Sequence, residues 1–316
     1  MLKVASFFSG VGGIDIGFEQ TGSFETVYAN ELDAYAVKTF EANFGIEVDH
    51  RSISDVQSDE IPDFDVMLAG FPCQPFSVAG RREGFTDTGG RGQVYFDVER
   101  IFLEKQPDII FLENVKNLLT HDKGNTFKVI HKSLVDAGYH VRHKVLNGMI
   151  HGDIPQNRER IYVVAFKDAQ KALDFNFPDE TPLVQSVRDV IAFDEQVDAK
   201  YYYTAERHKM YDTLVQDVLA DDHIYQWRRK YVRRNMSGVV PTLTANMGTG
   251  GHNVPIIHAK HGIRKLTPRE CFNTQGFPDT FQLPETMSNT QLYKQAGNSV
   301  VIPVVRRIAE EIVKVI

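Results

Sequence analysis

Cys73 lies in Ala69-Gly70-Phe71-Pro72-Cys73-Gln74-Pro75, framed by two prolines directly after an apolar run. The prolines fix the backbone on both sides. A loop that follows a strand points the thiol at the sheet edge where α/β proteins bind ligands. Most lone cysteines are small buried hydrophobes. This one is placed as a nucleophile, active as the thiolate where a helix N-terminus or a cation favours that form. Glu113, in Phe111-Leu112-Glu113-Asn114-Val115, follows another buried strand and reaches the same edge. Upstream, Phe8-Ser9-Gly10-Val11-Gly12-Gly13 is a glycine turn ahead of a helix, of the kind that lets backbone approach a ligand. Glu31 ends the second strand, where an acid commonly grips the two hydroxyls of a ribose; a solvated loop acid fits it equally well. Asp55 suits either an adenine amino group or a helix cap. Together the three sites point to an adenosine-containing cofactor whose tail carries no required phosphate. The glycine spacing departs from G-x-G-x-x-G, which speaks against a nicotinamide dehydrogenase. Arg158 and Arg160 share one side of an extended segment. On their own they read as a salt-bridged strand end.

These residues need a scaffold, and residues 1–167 supply one. Strand-like stretches at 3–8, 26–29, 64–69, 107–112 and 161–166 alternate with helix-like ones at 13–20, 34–43, 94–105 and 125–137. Such alternation implies an α/β fold with a doubly wound, mostly parallel sheet. The pattern breaks near Leu173-Asp174-Phe175, and 175–260 is irregular, rich in Tyr, Arg, Gly and Asn. Regular structure returns after Arg264. Thr267-Pro268-Arg269-Glu270 is a capping box with proline at the first helical position, and 300–316 is an amphipathic closing helix. Cys271 sits on the capped helix and is read as core packing. The chain of 316 residues is 42% apolar and 24% charged, ordinary for a globular protein. The longest apolar runs are too short for a membrane span. Two distant cysteines and no cleavable leader point to a cytoplasmic setting. No histidine or cysteine spacing suits a metal. A net charge of −7 argues against a protein that coats nucleic acid indiscriminately, but not against a local basic face.

The motifs Pro72-Cys73-Gln74, Glu113-Asn114-Val115 and Gln156-x-Arg158-x-Arg160 come in this order. Phe8-Ser9-Gly10-x-Gly12 precedes them and Gln295-Ala296-Gly297-Asn298-Ser299-Val300 follows. The ordered set resembles the DNA (cytosine-5) methyltransferase family, in its stand-alone prokaryotic or phage restriction–modification form. The resemblance covers the chain apart from about 175–260. It implies a Rossmann-like, S-adenosylmethionine-dependent enzyme. Its catalytic domain would be 1–174 plus 261–316, and 175–260 the target-recognition domain. The cofactor pocket would take Phe8, Gly10, Gly12, Glu31, Asp55, Pro72 and Asn298. Cys73 would add to carbon 6 of cytosine, and Glu113 would protonate ring nitrogen 3 if burial raises its pKa. Arg160 would contact the base or hold Glu113, and Arg158 would support the adduct. A target carbon hidden in a duplex must be flipped out.

Residues 79–92 hold five glycines and three arginines, without apolar periodicity. They read as a loop that closes on DNA, with Arg81, Arg82 and Gln93 as DNA contacts. From His223 to Lys265 there are eight basic residues, Arg228, Arg229, Lys230, Arg233, Arg234, Lys260, Arg264 and Lys265, and no acid. Such a strip is what a DNA-facing surface requires. Tyr225, Trp227 and Tyr231 interleave with it. Thr242, Thr244 and Asn246, in the glycine-rich 241–253, are placed to reach base edges. The expected partner is double-stranded DNA, with no metal and no membrane, and the expected state a monomer. Rival readings are a transfer RNA cytosine-5 methyltransferase of the same fold and a non-catalytic DNA-binding relative.

Overall fold

Val4-Ala5-Ser6-Phe7 is an unbroken buried run, and a strand buried on both faces must be covered on both sides. In the computed structural model, which describes residues 1–72, 94–228, 230–249 and 254–316, that cover is present. The first elements are β1 (Leu2–Phe7), α1 (Gly13–Glu19), β2 (Phe24–Asn30), α2 (Ala34–Phe44), β3 (Val66–Ala69), α3 (Val94–Lys105), β4 (Ile109–Val115) and α4 (Asn125–Asp136). Then come β5 (His140–Asn147), α5 (Gly148–His151), β6 (Gln156–Asn157), β7 (Glu159–Phe166), α6 (Ala169–Asp174), α7 (Val187–Val190) and α8 (Tyr211–Asp217). The chain continues through β8 (Tyr225–Trp227), β9 (Val232–Arg234), β10 (Val240–Pro241), β11 (Ile256–Ala259), β12 (Gly262–Lys265), α9 (Pro268–Asn273), α10 (Asn289–Asn298) and α11 (Ile302–Val313). No helix among the described residues is long and apolar enough to cross a membrane.

The chain divides into two units. The first comprises Met1–Leu146, Glu159–Pro178 and Val305–Ile316. Its sheet has the order β2-β1-β3-β4-β7-β5, with β2, β1, β3 and β4 parallel and β7 antiparallel to β4. On one face Phe7, Met67, Ile110 and Leu112 pack with Val98 and Phe102 of α3 and with Ile130 and Leu134 of α4. On the other, Phe18 of α1 meets Phe24 and Phe111, each at 5.0 Å between ring centres. A Cβ on Gly17 would lie 2.7 Å from the Val305 side chain, so glycine lets α1 and α11 approach. The expected strand at 161–166 is present, but it runs antiparallel to β4 rather than completing another parallel crossover. The sequence reading missed β5, because most of its residues are exposed or half-buried and carry no apolar signal.

The second unit comprises Asn147–Arg158 and Asp179–Val304. These bounds differ from the expected insert at 175–260: 147–158 and 261–304 fold with it. A four-stranded sheet of order β12-β11-β8-β9 encloses Leu214, Val218, Tyr225, Ile256 and Ile263, and β6 pairs in parallel with β10. The capping box at α9 is present, with Thr267 and Glu270 satisfying each other's backbone N–H groups. Cys271 is fully buried, as core packing requires.

Asp15 in α1 is enclosed in the first unit, with the Thr26 hydroxyl donating to Oδ1 at 3.3 Å. Burial pushes its carboxyl up to about 7, opposed by hydrogen bonds from Ser6 and Thr26. An unfolded aspartate titrates near 3.9. Between about pH 4 and pH 7 the unfolded chain therefore releases a proton that the folded chain keeps, and stability falls as pH rises. Asp15→Asn should flatten urea-unfolding stability across that window, removing a drop on the order of 4 kcal/mol. An unchanged slope in the variant would show that Asp15 ionises like an exposed carboxylate.

Candidate active site

The strand order sets the sequence of groups along one sheet edge. Residue 31 follows β2, residues 8–13 follow β1, residues 71–72 follow β3, and β4 carries Glu113 near its end. Neighbouring strands lie about 4.8 Å apart, so this row spans roughly 14 Å.

At the β1 end the chain turns sharply. Phe8, Gly10 and Gly12 have φ of 53°, 56° and 84°. Glycine is required at 12 twice over, since a Cβ there would also lie 2.1 Å from the Phe44 ring. At Gly10 the case is different. A Cβ would meet nothing nearer than the Phe8 carbonyl at 4.0 Å, so its absence leaves open volume. Gly10 N–H donates to Glu31 Oε2 at 2.9 Å and Asp33 N–H to Oε1 at 2.7 Å. The carboxylate is thus fixed against the glycine turn. Burial pushes its pKa up, while these two backbone N–H groups pull it down. Asp55 ends a short 3₁₀ turn, Ile53–Asp55, and is exposed.

Glu113 lies inside β4, not in a loop after it as expected, because β7 extends the pairing to Val115↔Arg160. That register puts Arg160 diagonally across from Glu113 on one face. Arg160 Nε meets Glu113 Oε1 at 3.0 Å, with both side chains slightly exposed, at 13% and 11%. Next to Glu113, Asn114 turns inward and its Nδ2 donates to the Phe71 carbonyl at 2.8 Å, tethering the chain directly before Pro72. The sequence assigns Asn114 no role of its own; an amide next to an acid at a strand end was the available signal. A Cβ on Gly70 would lie 3.7 Å from Glu113 Oε2. Cys73, Arg81, Arg82 and Gln93 lie outside the described residues, as do Arg229 and 250–253.

The second unit holds the remaining candidates. Arg158 is held by main-chain carbonyls. It is buried, and its guanidinium donates to the carbonyls of Leu243 at 2.8 Å, of Gly297 at 3.0 Å and of Ser299. Asn298 is exposed in the last turn of α10, not in a free glycine-asparagine turn. Thr242, Thr244 and Asn246 are exposed while Leu243 and Met247 are buried, so this stretch shows one side outward. Arg228, Lys230, Arg233, Arg234 and Lys260 are exposed.

Arg264 is not part of that surface. It is fully buried, bidentate to Glu270 at 2.7 and 2.8 Å, and donates to the carbonyls of Ala192 and Lys265. Lys265 lies 5.8 Å from the centre of the Tyr293 ring, partly buried. Tyr225 belongs to the core, with Trp227 packed on it, whereas Tyr231 is 56% exposed.

Comparison with known proteins decides what this arrangement belongs to. The family model for C-5 cytosine-specific DNA methylases matches residues 2–314. The chain belongs to that family. It is 56% identical over 314 residues to the type II methyltransferase M.Bsp6I of Bacillus sp. (strain RFL6), covering 99% of each chain. It is 41% identical over 308 residues to M.HaeII of Haemophilus aegyptius, covering 97% of this chain and 91% of that one. Among solved structures, a putative DNA modification methyltransferase from an Escherichia coli prophage has a TM-score of 0.71 at 21% identity, covering 100% of this chain and 99% of that one. The Entamoeba histolytica methyltransferase EhMeth has a TM-score of 0.76 at 20% identity, covering 99% and 98%; the likeness of both structures is one of fold. The chain is accordingly a DNA (cytosine-5)-methyltransferase, not a non-catalytic relative.

For this methyltransferase, removing the buried cation leaves the Glu270 carboxylate enclosed without one. Arg264→Ala should cost about 3–5 kcal/mol in chemical unfolding. It should leave the salt dependence of DNA binding as it is. An unaltered midpoint with a shallower salt slope would return Arg264 to the DNA-facing strip.

Proposed function

We propose that the enzyme transfers a methyl group from S-adenosylmethionine to carbon 5 of a flipped-out cytosine in a specific double-stranded DNA sequence. We further propose that it is the modification enzyme of a restriction–modification system, acting in the cytoplasm. The observation that carries the chemistry is the Arg160–Glu113 pair, held on the same sheet edge as the glycine turn and Glu31. Its type II relatives support the restriction–modification role.

The residues near β1 and β2 fit the cofactor. Gly10 leaves an unfilled volume beside a fixed carboxylate, which suits a nucleoside with its ribose hydroxyls on Glu31. Phe8, Gly12, Asp55, Pro72 and Asn298 would complete the pocket. S-adenosylmethionine, when bound, supplies the methyl group as a cation equivalent. The chain's own groups prepare the acceptor. The Cys73 thiolate adds to carbon 6 of the cytosine, while Glu113 gives a proton to ring nitrogen 3 and accepts from the exocyclic amine. Arg160 orients Glu113 through their ion pair. The ring electrons then reside at carbon 5, which becomes the nucleophile. Loss of the carbon-5 proton, to water in this reading, restores the double bond and expels Cys73, and ring nitrogen 3 returns its proton to Glu113. Base flipping exposes the ring, and Arg81, Arg82 and Gln93 would follow the DNA at the active-site side.

Residues 175–260 would choose the sequence. The exposed cations Arg228 and Arg233 suit phosphates, and Thr242, Thr244 and Asn246 suit base edges.

Cys73→Ala should abolish methyl transfer while DNA and cofactor binding survive. DNA carrying 5-fluorocytosine should trap the wild-type enzyme covalently, since fluorine cannot leave as a proton. Turnover by the alanine variant, or no trapped complex with cofactor present, sinks the addition–elimination scheme.

Arg233→Ala should lower the slope of log binding constant against log salt by about one unit, across many DNA sequences. Replacing Thr244 or Asn246 should instead change which sites bisulfite sequencing finds methylated, at roughly 1–3 kcal/mol per base contact. If both kinds of variant leave the methylated sites and the salt slope unchanged, the target-recognition assignment is wrong.

A further inference from the structure

The resemblance assigns Arg158 to adduct support, yet both its terminal nitrogens donate to main-chain carbonyls. Nη1 donates to Leu243 O, and Nη2 to Gly297 O and Ser299 O. Arg158 is itself pinned: its N–H donates to Asn147 Oδ1 at 3.3 Å, and its carbonyl accepts from Gly148 N–H at 3.1 Å. The carbonyls it holds come from two places. Leu243 lies between Thr242 and Thr244, while Gly297 and Ser299 flank Asn298.

A second observation ties the same two segments together. A Cβ on Gly297 would lie 2.2 Å from the Thr244 carbonyl carbon, so only glycine lets α10 meet that backbone. A Cβ on Gly248 would lie 2.9 Å from Thr290 Cα and O, at the other end of α10. Residues 244–248 therefore run back along α10 from its last turn to its first. The Thr242 hydroxyl donates to Asn157 O at 2.7 Å, and Val240 pairs with Gln156, which fixes the entry to this stretch.

We infer that Arg158 is a positioning residue that locks the recognition stretch 242–246 to the Asn298 end of α10, so that site choice and cofactor affinity change together. The inference rests on the proposed roles of Asn298 and of 242–246. The planar guanidinium fork reaches both carbonyl sets at once, and it places positive charge where the α10 carbonyls end. A lysine offers a single ammonium and cannot bridge both sets in this geometry. Coupling of this kind is reciprocal: whatever displaces 242–246 acts on Asn298, and the converse.

The test uses the full chain with Arg158→Lys and Gly297→Ala, plus Asn298→Ala and Thr244→Ala as references. Three quantities are measured: S-adenosylmethionine affinity, the spectrum of methylated sites, and the single-turnover rate at saturating cofactor and DNA. Arg158→Lys should weaken cofactor affinity by about tenfold and broaden the methylated sites together. The saturated single-turnover rate should change by less than about threefold. Gly297→Ala retains Arg158 and should give the same paired change, so it carries the test if Arg158→Lys does not fold. A saturated rate down by about a hundredfold, with affinity and sites unchanged, would overturn the inference in favour of adduct support. Movement of only one of the two paired readouts would overturn it as well. Silent Asn298 and Thr244 variants mean that the roles of those residues were misassigned. Reference variants that behave as assigned, beside unpaired Arg158 and Gly297 variants, mean that the link itself fails.

Discussion

β1 pairs in parallel with β2 on one side and with β3 on the other, and the first unit is arranged about that strand. The chain leaves β1 first towards β2 and later returns to its opposite flank, and a ligand crevice opens where the winding direction reverses. Four residue pairs, from Val4↔Val66 to Phe7↔Ala69, fix the register on which the rest of the edge is laid out. A slip of one residue would turn every buried side chain to the other face. Because both faces are packed, with Phe102 and Leu134 on one and Phe18 on the other, such a slip has no acceptable packing. The rigidity of the row from Glu31 to Glu113 thus comes from the core beneath it and not from the loops themselves.

Much of that row was legible in the sequence, for an identifiable reason. Glycines, prolines and acids are conspicuous at the ends of short apolar strands, and β1, β3 and β4 carry strong apolar runs. The exposures of the long basic side chains were not legible. Arg264 looks like a member of a cationic strip until Glu270, six positions on, is brought against it by the capped turn of α9. Nothing local marks Leu243 and Met247 as the buried side of a glycine-rich stretch, and Gly248 and Gly297 resemble flexible turn residues. In the structure these two glycines serve close packing against α10 and the 244–245 backbone. β5 and the antiparallel direction of β7 are long-range matters, set by which strand end is free to pair.

Two arginine–carboxylate pairs with similar distances play different parts. Arg264 and Glu270 are closed off, and Glu270 also accepts the N–H groups of Ala192 and Thr267. Such a pair is held in one state by everything around it. Arg160 and Glu113 keep some exposure, and their distance depends on a cross-strand diagonal, not on enclosure. The proton transfer proposed for Glu113 would use that access.

The sheet of the second unit ends at β9, whose outer backbone groups have no strand beside them among the described residues. An open strand edge invites pairing with other chains, and charged side chains are a common deterrent. β9 is Val232-Arg233-Arg234, followed by the exposed Met236. The arginines suited to a polyanion therefore also guard this edge against self-association. Neutralising them would remove the charges that deter pairing along this strand.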